Sequence, residues 1–283
     1  KKNKIFFLKR RILLLILNYE FLKKNTNKIK NILISNHGIL GNENQILLGC
    51  LSKKAKIFSL QSGYQHFKYK YHDQDDYLEK ISNKILCWGK DVKKNSQYET
   101  FGSLYTCKKK IVNNQKSIII LPSVPWGNHR SPISSHWSYT HKEFTNLIMK
   151  KIIKEIKKIT AKDKSCYLQC KDCDFEYYKK YFDKFKIKNK LVFSDINNEK
   201  FGNTYLKTYI LYFSTAIIEN YYAKSKVKIC INSAWIDFTK KHEKKLYEVN
   251  NKRFLKKNDK FIKDSCKTIS IHEAKKKLIK ILL

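Results

Sequence analysis

The stretch AKIFSLQSGYQHFKYKYHDQDDYLEKISNKILCWG, Ala55 to Gly89, contains one complete unit of the predicted fold. It begins with a short run rich in β-branched and aromatic residues, passes through a polar loop into the amphipathic run DDYLEKISN, and ends in the apolar run KILCWG. Because neighbouring parallel strands need a crossover connection, this order is typical of a parallel sheet covered by helices. The stretch therefore predicts a β–α–β unit.

The same alternation continues along the chain. NILISN lies upstream, and the downstream strand candidates are SIIILPSV, SCYLQC, KLVFS, YILYF and VKICIN, with amphipathic runs between them. A polar stretch rich in Lys and Asn separates two groups of these elements. We therefore predict an α/β protein with two Rossmann-like parallel-sheet domains. Residues 1–95 form a short or partial N-terminal domain, 96–116 a connection, and 117–283 the C-terminal domain.

The composition bounds the functional class. The 283-residue chain is 42% hydrophobic, enough for ordinary cores, and has a formal charge of +36. Nearly all of that charge is lysine, spread over every predicted helix, so a specific nucleic-acid partner is not expected. A non-catalytic polyanion-binding protein remains the alternative function. Eight irregularly spaced cysteines indicate a reducing, cytoplasmic location. The N-terminal run IFFLKRRILLLIL is interrupted by basic residues and is compatible with peripheral contact with an anionic inner membrane.

Ligands of doubly wound sheets bind where strands end and helices begin, so the loops that follow the predicted strands are candidates. After YILYF come Ser214 and Thr215, with Glu219 one helical turn later. Two hydroxyls and backbone N–H groups at a helix N-terminus suit a phosphate, and Glu219 would then accept hydrogen bonds from a ribose. The alternative is an ordinary helix N-cap with a Glu on the helix face.

The loop LPSVPWGNHRSPISSHW holds all three prolines of the chain and Arg130. Long proline-rich loops in compact domains are often functional. An Arg in a chain that otherwise uses Lys indicates bidentate binding of phosphate or carboxylate. The alternative is a rigid surface loop whose Arg pairs with a nearby acid.

The loop inside the opening stretch carries Gly63, His66 and Asp73. A His beside acids at the end of a strand is suited to general-base work on a hydroxyl. An Asp-rich N-cap of the following helix is the alternative for Asp75 and Asp76.

The segment CYLQCKDC places Cys166, Cys170 and Cys173 at the C-x3-C-x2-C spacing that holds a [4Fe–4S] cluster in radical S-adenosylmethionine enzymes. No Gly-rich segment or long barrel follows it. A buried strand that happens to contain two cysteines is the interpretation we adopt, and the radical enzyme is the third functional alternative.

Several of these segments together resemble one family. The order strand, Q-x-G loop with Tyr, helix with Glu, and W-G strand end is similar to a passage of the surface-carbohydrate (capsule polysaccharide) biosynthesis transferases, which have the GT-B fold. Gln61, Gly63, Glu79, Trp88 and Gly89 occupy those places. The segment LYFSTAIIENYYAKSKVKIC resembles the family's later motif.

The resemblance implies a GT-B-type glycosyltransferase that moves a sugar from a nucleotide-activated donor to a surface-polysaccharide or lipid-linked acceptor. It implies no metal and no cofactor besides the nucleotide-sugar substrate. The donor-binding residues would be Arg130, Ser214, Thr215 and Glu219. The catalytic base would be His66 or Asp73, and the cleft loop would contain Gln61, Gly63 and Tyr64. Ser62 stands where the family has a His, which makes a partial or degenerate member a further expectation.

Overall fold

A computed structural model describes most of the chain. The residues described are 16–17, 20, 24, 29–35, 42–63, 67, 73–90, 96–103, 114–122, 148–194, 205–212, 214–223, 225–230, 244, 247–248, 253–256 and 259–282. Within them, no helix is both long and apolar enough to cross a membrane.

The first unit is a four-stranded parallel sheet in the order β1-β2-β3-β4. Two helices connect its first three strands. The bounds are β1 Asn31–Ser35, α1 Asn42–Leu51, β2 Lys56–Leu60, α2 Asp73–Ile81, β3 Lys84–Cys87 and β4 Tyr98–Thr100.

The second unit is a five-stranded parallel sheet in the order β7-β6-β5-β8-β9. Its first strand is therefore central, and the chain winds outward first to one side and then to the other. The bounds are β5 Asn114–Ile120, α3 Met149–Lys162, β6 Tyr167–Lys171, a 3₁₀ turn Asp172–Asp174, α4 Phe175–Lys184, β7 Leu191–Ser194, β8 Tyr205–Ile210, α5 Ala216–Tyr222 and β9 Lys226–Ile229.

Two helices close the described chain, α6 Lys260–Ser265 and α7 Ile271–Leu282. The predicted fold class, α/β with two parallel sheets, is confirmed. Strand β8 begins at Tyr205, four residues before the predicted run YILYF, because Tyr205 and Lys207 to Ile210 pair with β5, with a register shift on β5 between Asn114 and Ser117. Strand β4 lies inside the stretch predicted as a connection and pairs with β3.

Each sheet has its own apolar core. The second core is built on α3, whose buried Ile152, Ile156 and Ile159 recur at helical spacing and face the sheet. The first core contains Ile57, Leu78 and Ile85. Periodic apolar residues of helices and strands thus meet across each layer, which is the main source of stability in such folds.

The C-terminal segment returns to the first unit. Ala274 of α7 joins a buried cluster with Leu86 and Phe101. The Lys277 ammonium donates to the Phe101 carbonyl at 2.6 Å, and Ser103 pairs with Thr268 as a parallel β-bridge. The chain therefore crosses from the second unit back onto the first.

Candidate functional site

The carboxyl ends of β5 and β8 lie side by side in the second sheet. Ile120 is the register partner of Ile210, and the Leu211 amide donates to the Ile120 carbonyl at 3.2 Å. On the other side of β5, the Leu121 amide donates to the backbone carbonyl of Gln169 in β6 at 2.8 Å. The direction of winding reverses between β5 and β8, so this is the topological switch point where ligands of doubly wound sheets bind.

A buried tyrosine fixes the end of β5. Tyr178 of α4 is fully buried, and its hydroxyl donates to the Pro122 carbonyl at 2.6 Å. Burial, and secondly the charge of Asp174, raise the pKa of Tyr178 well above its ordinary value, so the hydroxyl stays a donor. The long proline-rich loop therefore starts from a fixed point.

The segment that follows β8 places Ser214 and Thr215 directly before α5. Ser214 is only 9% exposed; its hydroxyl oxygen accepts from the Ala216 amide at 3.3 Å, and its carbonyl accepts from the Ile217 amide at 3.1 Å. The sequence predicts that the backbone N–H groups at this helix start are available to an anion. In the structure Ser214 accepts hydrogen bonds from two of them, those of Ala216 and Ile217. The bond at 3.3 Å is long for its type, so a stronger acceptor can replace it.

Two carboxylates and a tyrosine gather at the same point. Burial is the main cause that raises the pKa of Tyr212; a hydrogen bond with Ser214 opposes the shift, and the charges of Glu219 and Asp174 add to it. Tyr212 after β8 therefore lies near enough to Asp174, in the turn after β6, and to Glu219 of α5 for their charges to act on it. Sequence reasoning missed Tyr212 and Asp174: Tyr212 lies inside the predicted strand run YILYF, and Asp174 comes four residues after the predicted strand SCYLQC.

The carboxyl end of the first sheet is built differently. Gln61, 2% exposed, accepts from the Trp88 amide and donates to the Gly63 carbonyl, each at 2.8 Å. Its backbone carbonyl also accepts from the Trp88 indole N–H at 2.7 Å. Gln61 and Gly63, predicted as cleft-loop residues, thus tie the end of β2 to the end of β3.

Trp88 links the two units. Its backbone carbonyl accepts from the Lys267 amide at 2.8 Å, and its side chain belongs to the buried cluster of the second unit. The W-G strand end of the predicted motif therefore serves packing between the units.

A buried acid organises the loop before α2. Asp75 is 3% exposed and accepts from the Phe67 amide at 2.6 Å, and Phe67 is itself buried with a left-handed backbone of φ 61°. Glu79 of α2 accepts from the Tyr98 hydroxyl and so joins the helix to β4. These acids hold the loop and helix in place.

The remaining predicted site residues are only partly described. Asp73 is the first residue of α2. His66, Tyr64 and Arg130 lie outside the described residues. Whether they meet Ser214, Thr215 and Glu219 stays a prediction.

The three spaced cysteines lie along one strand and the turn after it. Cys166 and Cys170 are buried on the same face, and Cys173 is exposed in the 3₁₀ turn. Four residues of strand separate the Cα atoms of the first two by about 13 Å. Burial raises the pKa of all three thiols, that of Cys170 to about 12. This arrangement fits the buried-strand interpretation and does not fit three thiolates on one cluster.

Within the described residues, no three His, Cys, Asp or Glu side chains are grouped so that they could hold a metal ion. No family model matches the chain. No curated protein matches it either.

Solved structures do match. One, from Listeria monocytogenes, is provisionally assigned as a UDP-N-acetylglucosamine 2-epimerase; the match covers 96% of this chain and 78% of that one, with a TM-score of 0.52 and 8% identity. Another is a co-structure of S. aureus MnaA with UDP, with the same TM-score and identity, covering 96% of this chain and 77% of that one. At this identity the likeness establishes the fold, which is GT-B-like with two Rossmann-type parallel sheets.

Proposed function

We propose that the protein binds a nucleotide-activated sugar at the carboxyl edge of the second sheet and transfers the sugar to a surface-polysaccharide or lipid-linked acceptor. The observation that carries this proposal is the switch point between β5 and β8, where Ser214, Thr215 and Glu219 begin the next helix. Structures with the same architecture support it, because one of them contains UDP.

In this proposal the donor diphosphate lies against Thr215 and the amide that Ser214 now occupies at 3.3 Å. Arg130 approaches from the proline-rich loop and, with the hydroxyls, stabilises the charge that develops on the leaving diphosphate. The Glu219 carboxylate accepts hydrogen bonds from the ribose. Its charge acts on Tyr212, which follows β8 at this edge of the sheet.

The acceptor side is proposed on the first unit. His66, or failing it Asp73, would remove the proton of the acceptor hydroxyl. Gln61 contributes indirectly, since its hydrogen bonds fix the strand end from which the loop with Tyr64 departs. Transfer without a metal, which the resemblance implies, belongs to the proposal. So do a cytoplasmic location, which the cysteine usage indicates, and contact with an anionic membrane, with which the lysines and the N-terminal apolar-basic run are compatible.

The decisive experiment is calorimetric titration of the full chain with UDP, CDP, CMP and GDP. For the preferred nucleotide, Glu219→Gln is expected to raise the Kd about tenfold or more, because a charge-assisted bond to the ribose is lost. Glu99→Gln is the matched control, since Glu99 lies on β4 in an exposed ion pair with Lys84. Equal affinity in all three proteins would refute the site.

A second candidate reaction is epimerisation at C2 of the sugar, favoured by the fold shared with the Listeria protein. Incubation with UDP-N-acetylglucosamine separates the two reactions. Release of UDP that depends on an added acceptor indicates transfer, whereas a new nucleotide-sugar of unchanged mass, resolved by proton NMR, indicates epimerisation.

A further inference from the structure

A second candidate site lies away from the switch point, near the amino-terminal ends of β8 and β9. A cavity of about 880 Å³ opens there, which we call the amino-edge cavity. Its lining residues are Lys207, Lys226, Arg253, Phe254, Leu255, Lys256 and Asp259. Its volume falls in the range of small-molecule sites, and its lining has four cations against one carboxylate.

The sheet brings two of these cations together. Lys207 and Lys226 are register partners on the parallel strands β8 and β9, so their side chains leave the same face of the sheet side by side. Like charges in such a pair destabilise the sheet. An anion bound between them would remove that repulsion.

The carboxylates near the cavity have other partners. Asp163 approaches Lys207 at 3.7 Å and also accepts from the Ser117 hydroxyl. Asp259 accepts from the Phe261 amide at 3.0 Å and caps α6. Within the described residues, no carboxylate lies within 4.0 Å of the ammonium or guanidinium nitrogens of Lys226, Arg253 or Lys256.

The wall that carries Arg253 and Lys256 is fixed by hydrogen bonds. The Leu255 amide donates to the Val227 carbonyl at 2.8 Å, and the Tyr221 hydroxyl donates to the Lys256 carbonyl at 2.6 Å. Phe254 supplies an apolar surface, and the centroid of its ring lies 6.0 Å from that of Tyr209. The backbone that carries these cations is therefore fixed beside an aromatic side chain, which lowers the entropic cost of binding.

We propose that the amino-edge cavity binds a small phosphorylated molecule that carries at least two phosphate charges. Two lysines and an arginine that have no carboxylate partner among the described residues match the charge of a diphosphate, and the arginine supplies a bidentate donor. The volume of the cavity suits a small molecule more than a polymer. This site is separate from the proposed nucleotide-sugar site and does not depend on it.

The test is calorimetric titration of the full chain with inorganic pyrophosphate at constant ionic strength. Saturable binding is expected, and the proposed donor-diphosphate site can contribute a second, independent component. The double variant Lys226→Gln/Arg253→Gln should raise the Kd about tenfold or more, because two charge-assisted contacts are lost. Both side chains are exposed, so the fold should tolerate the change, and thermal unfolding checks this. Should the double variant fail to fold, Lys226→Gln alone must give the weakening.

The matched control is Lys179→Gln/Lys180→Gln, which removes the same charge from exposed positions of α4. Its Kd is expected to stay within about twofold of the parent value. Equal weakening in both double variants, or binding without saturation in the parent, would overturn the proposal. In the variant Lys226→Gln/Arg253→Gln the preferred nucleotide should keep its parent Kd, since the proposed nucleotide-sugar site lies at the carboxyl edge of the sheet. Loss of pyrophosphate affinity alone then assigns that binding to the amino-edge cavity, and absence of nucleotide binding in the parent bears only on the nucleotide-sugar site.

Discussion

The carboxyl ends of the two sheets carry different kinds of side chain: neutral, hydrogen-bonded groups in the first sheet and ionisable groups in the second. In the first sheet, the amide of Gln61 and both N–H groups of Trp88 are hydrogen-bonded to one another or to backbone. In the second sheet, two carboxylates, the buried Asp174 and Glu219, act on the half-buried Tyr212. Neutral groups bonded to backbone favour a fixed structure, whereas buried ionisable groups near one another are typical of functional sites.

The two sheet ends should therefore respond differently to substitution. Changes at the end of the first sheet are expected to lower the free energy of unfolding and to leave nucleotide affinity unchanged in the folded protein. Changes such as Glu219→Gln at the end of the second sheet are expected to lower nucleotide affinity and to leave the free energy of unfolding nearly unchanged. The C-terminal segment also packs against the carboxyl end of the first sheet, so the largest effects on stability are expected there.

The largest effect is expected from Gly102→Ala. Gly102 has φ 111°, a conformation that side chains rarely adopt, and an added Cβ would lie 2.6 Å from Ile269 Cγ2 and 3.0 Å from the Lys267 carbonyl. Backbone strain and this overlap should lower the free energy of unfolding by about 3 kcal/mol. Urea unfolding followed by circular dichroism measures the change.

Gly49→Ala is the control for that substitution. Gly49 lies inside α1, where an added Cβ would meet the Tyr77 hydroxyl at an ordinary 3.4 Å, so a gain of about 0.5 kcal/mol is expected. A parent-like stability of Gly102→Ala would mean that the C-terminal segment is not held closely against β4.

An intermediate effect is expected from Gln61→Met, which keeps the length of the side chain and removes its amide. The Trp88 amide and the Gly63 carbonyl would lose their partner in a buried place, which costs about 2 kcal/mol. Thermal and urea unfolding measure the loss, and UDP titration of the same variant should give the parent affinity.

Gln169→Met is the corresponding change in the second sheet. Gln169 is half-buried on β6, and its side chain makes no hydrogen bond to another described residue. A change below about 0.5 kcal/mol is expected. If the two variants were equally destabilised, the first sheet would not be the more tightly bonded end.

The fold could be predicted from the sequence because its signals are local. Runs such as KIFSL and KILC contain the strand formers that a buried parallel strand requires, and the apolar spacing of Ile152, Ile156 and Ile159 requires a helix. Strand β8 was harder to place, since Lys207 and Thr208 interrupt its apolar pattern.

The candidate sites could be predicted only in part because they depend on residues distant in the sequence. Ser214 and Thr215 follow a strand directly, so the switch-point rule finds them. The pairing of Lys207 with Lys226 needs the register of β8 and β9, and the bond from Lys267 to Trp88 joins residues 179 positions apart. No local pattern carries that information.

The smallest expected effect is on how the free energy of unfolding depends on pH, and it comes from two thiols of the second unit. Burial raises the pKa of Cys170 and of Cys230, each to about 12, and both belong to the second unit. In the unfolded chain a thiol ionises near its ordinary pKa of about 8.5, so above that pH the unfolded state binds fewer protons than the folded state. The free energy of unfolding must therefore fall as pH rises, with the full contribution present below about pH 8.5 and lost progressively toward pH 12. Between pH 8 and pH 9 the expected loss is under about 1 kcal/mol per thiol.

Urea unfolding at pH 8.0, 8.5 and 9.0 measures this slope in the parent and in Cys170→Ala. The variant is less stable at every pH because a buried side chain is shortened, but its slope should be smaller by the share of one thiol. Cys173→Ala provides the contrast at an exposed position of the same segment, where less of the slope should be lost. An unchanged slope in Cys170→Ala would mean that this thiol reaches solvent in the folded state, and the second sheet would then be open at β6 as well as at the switch point between β5 and β8.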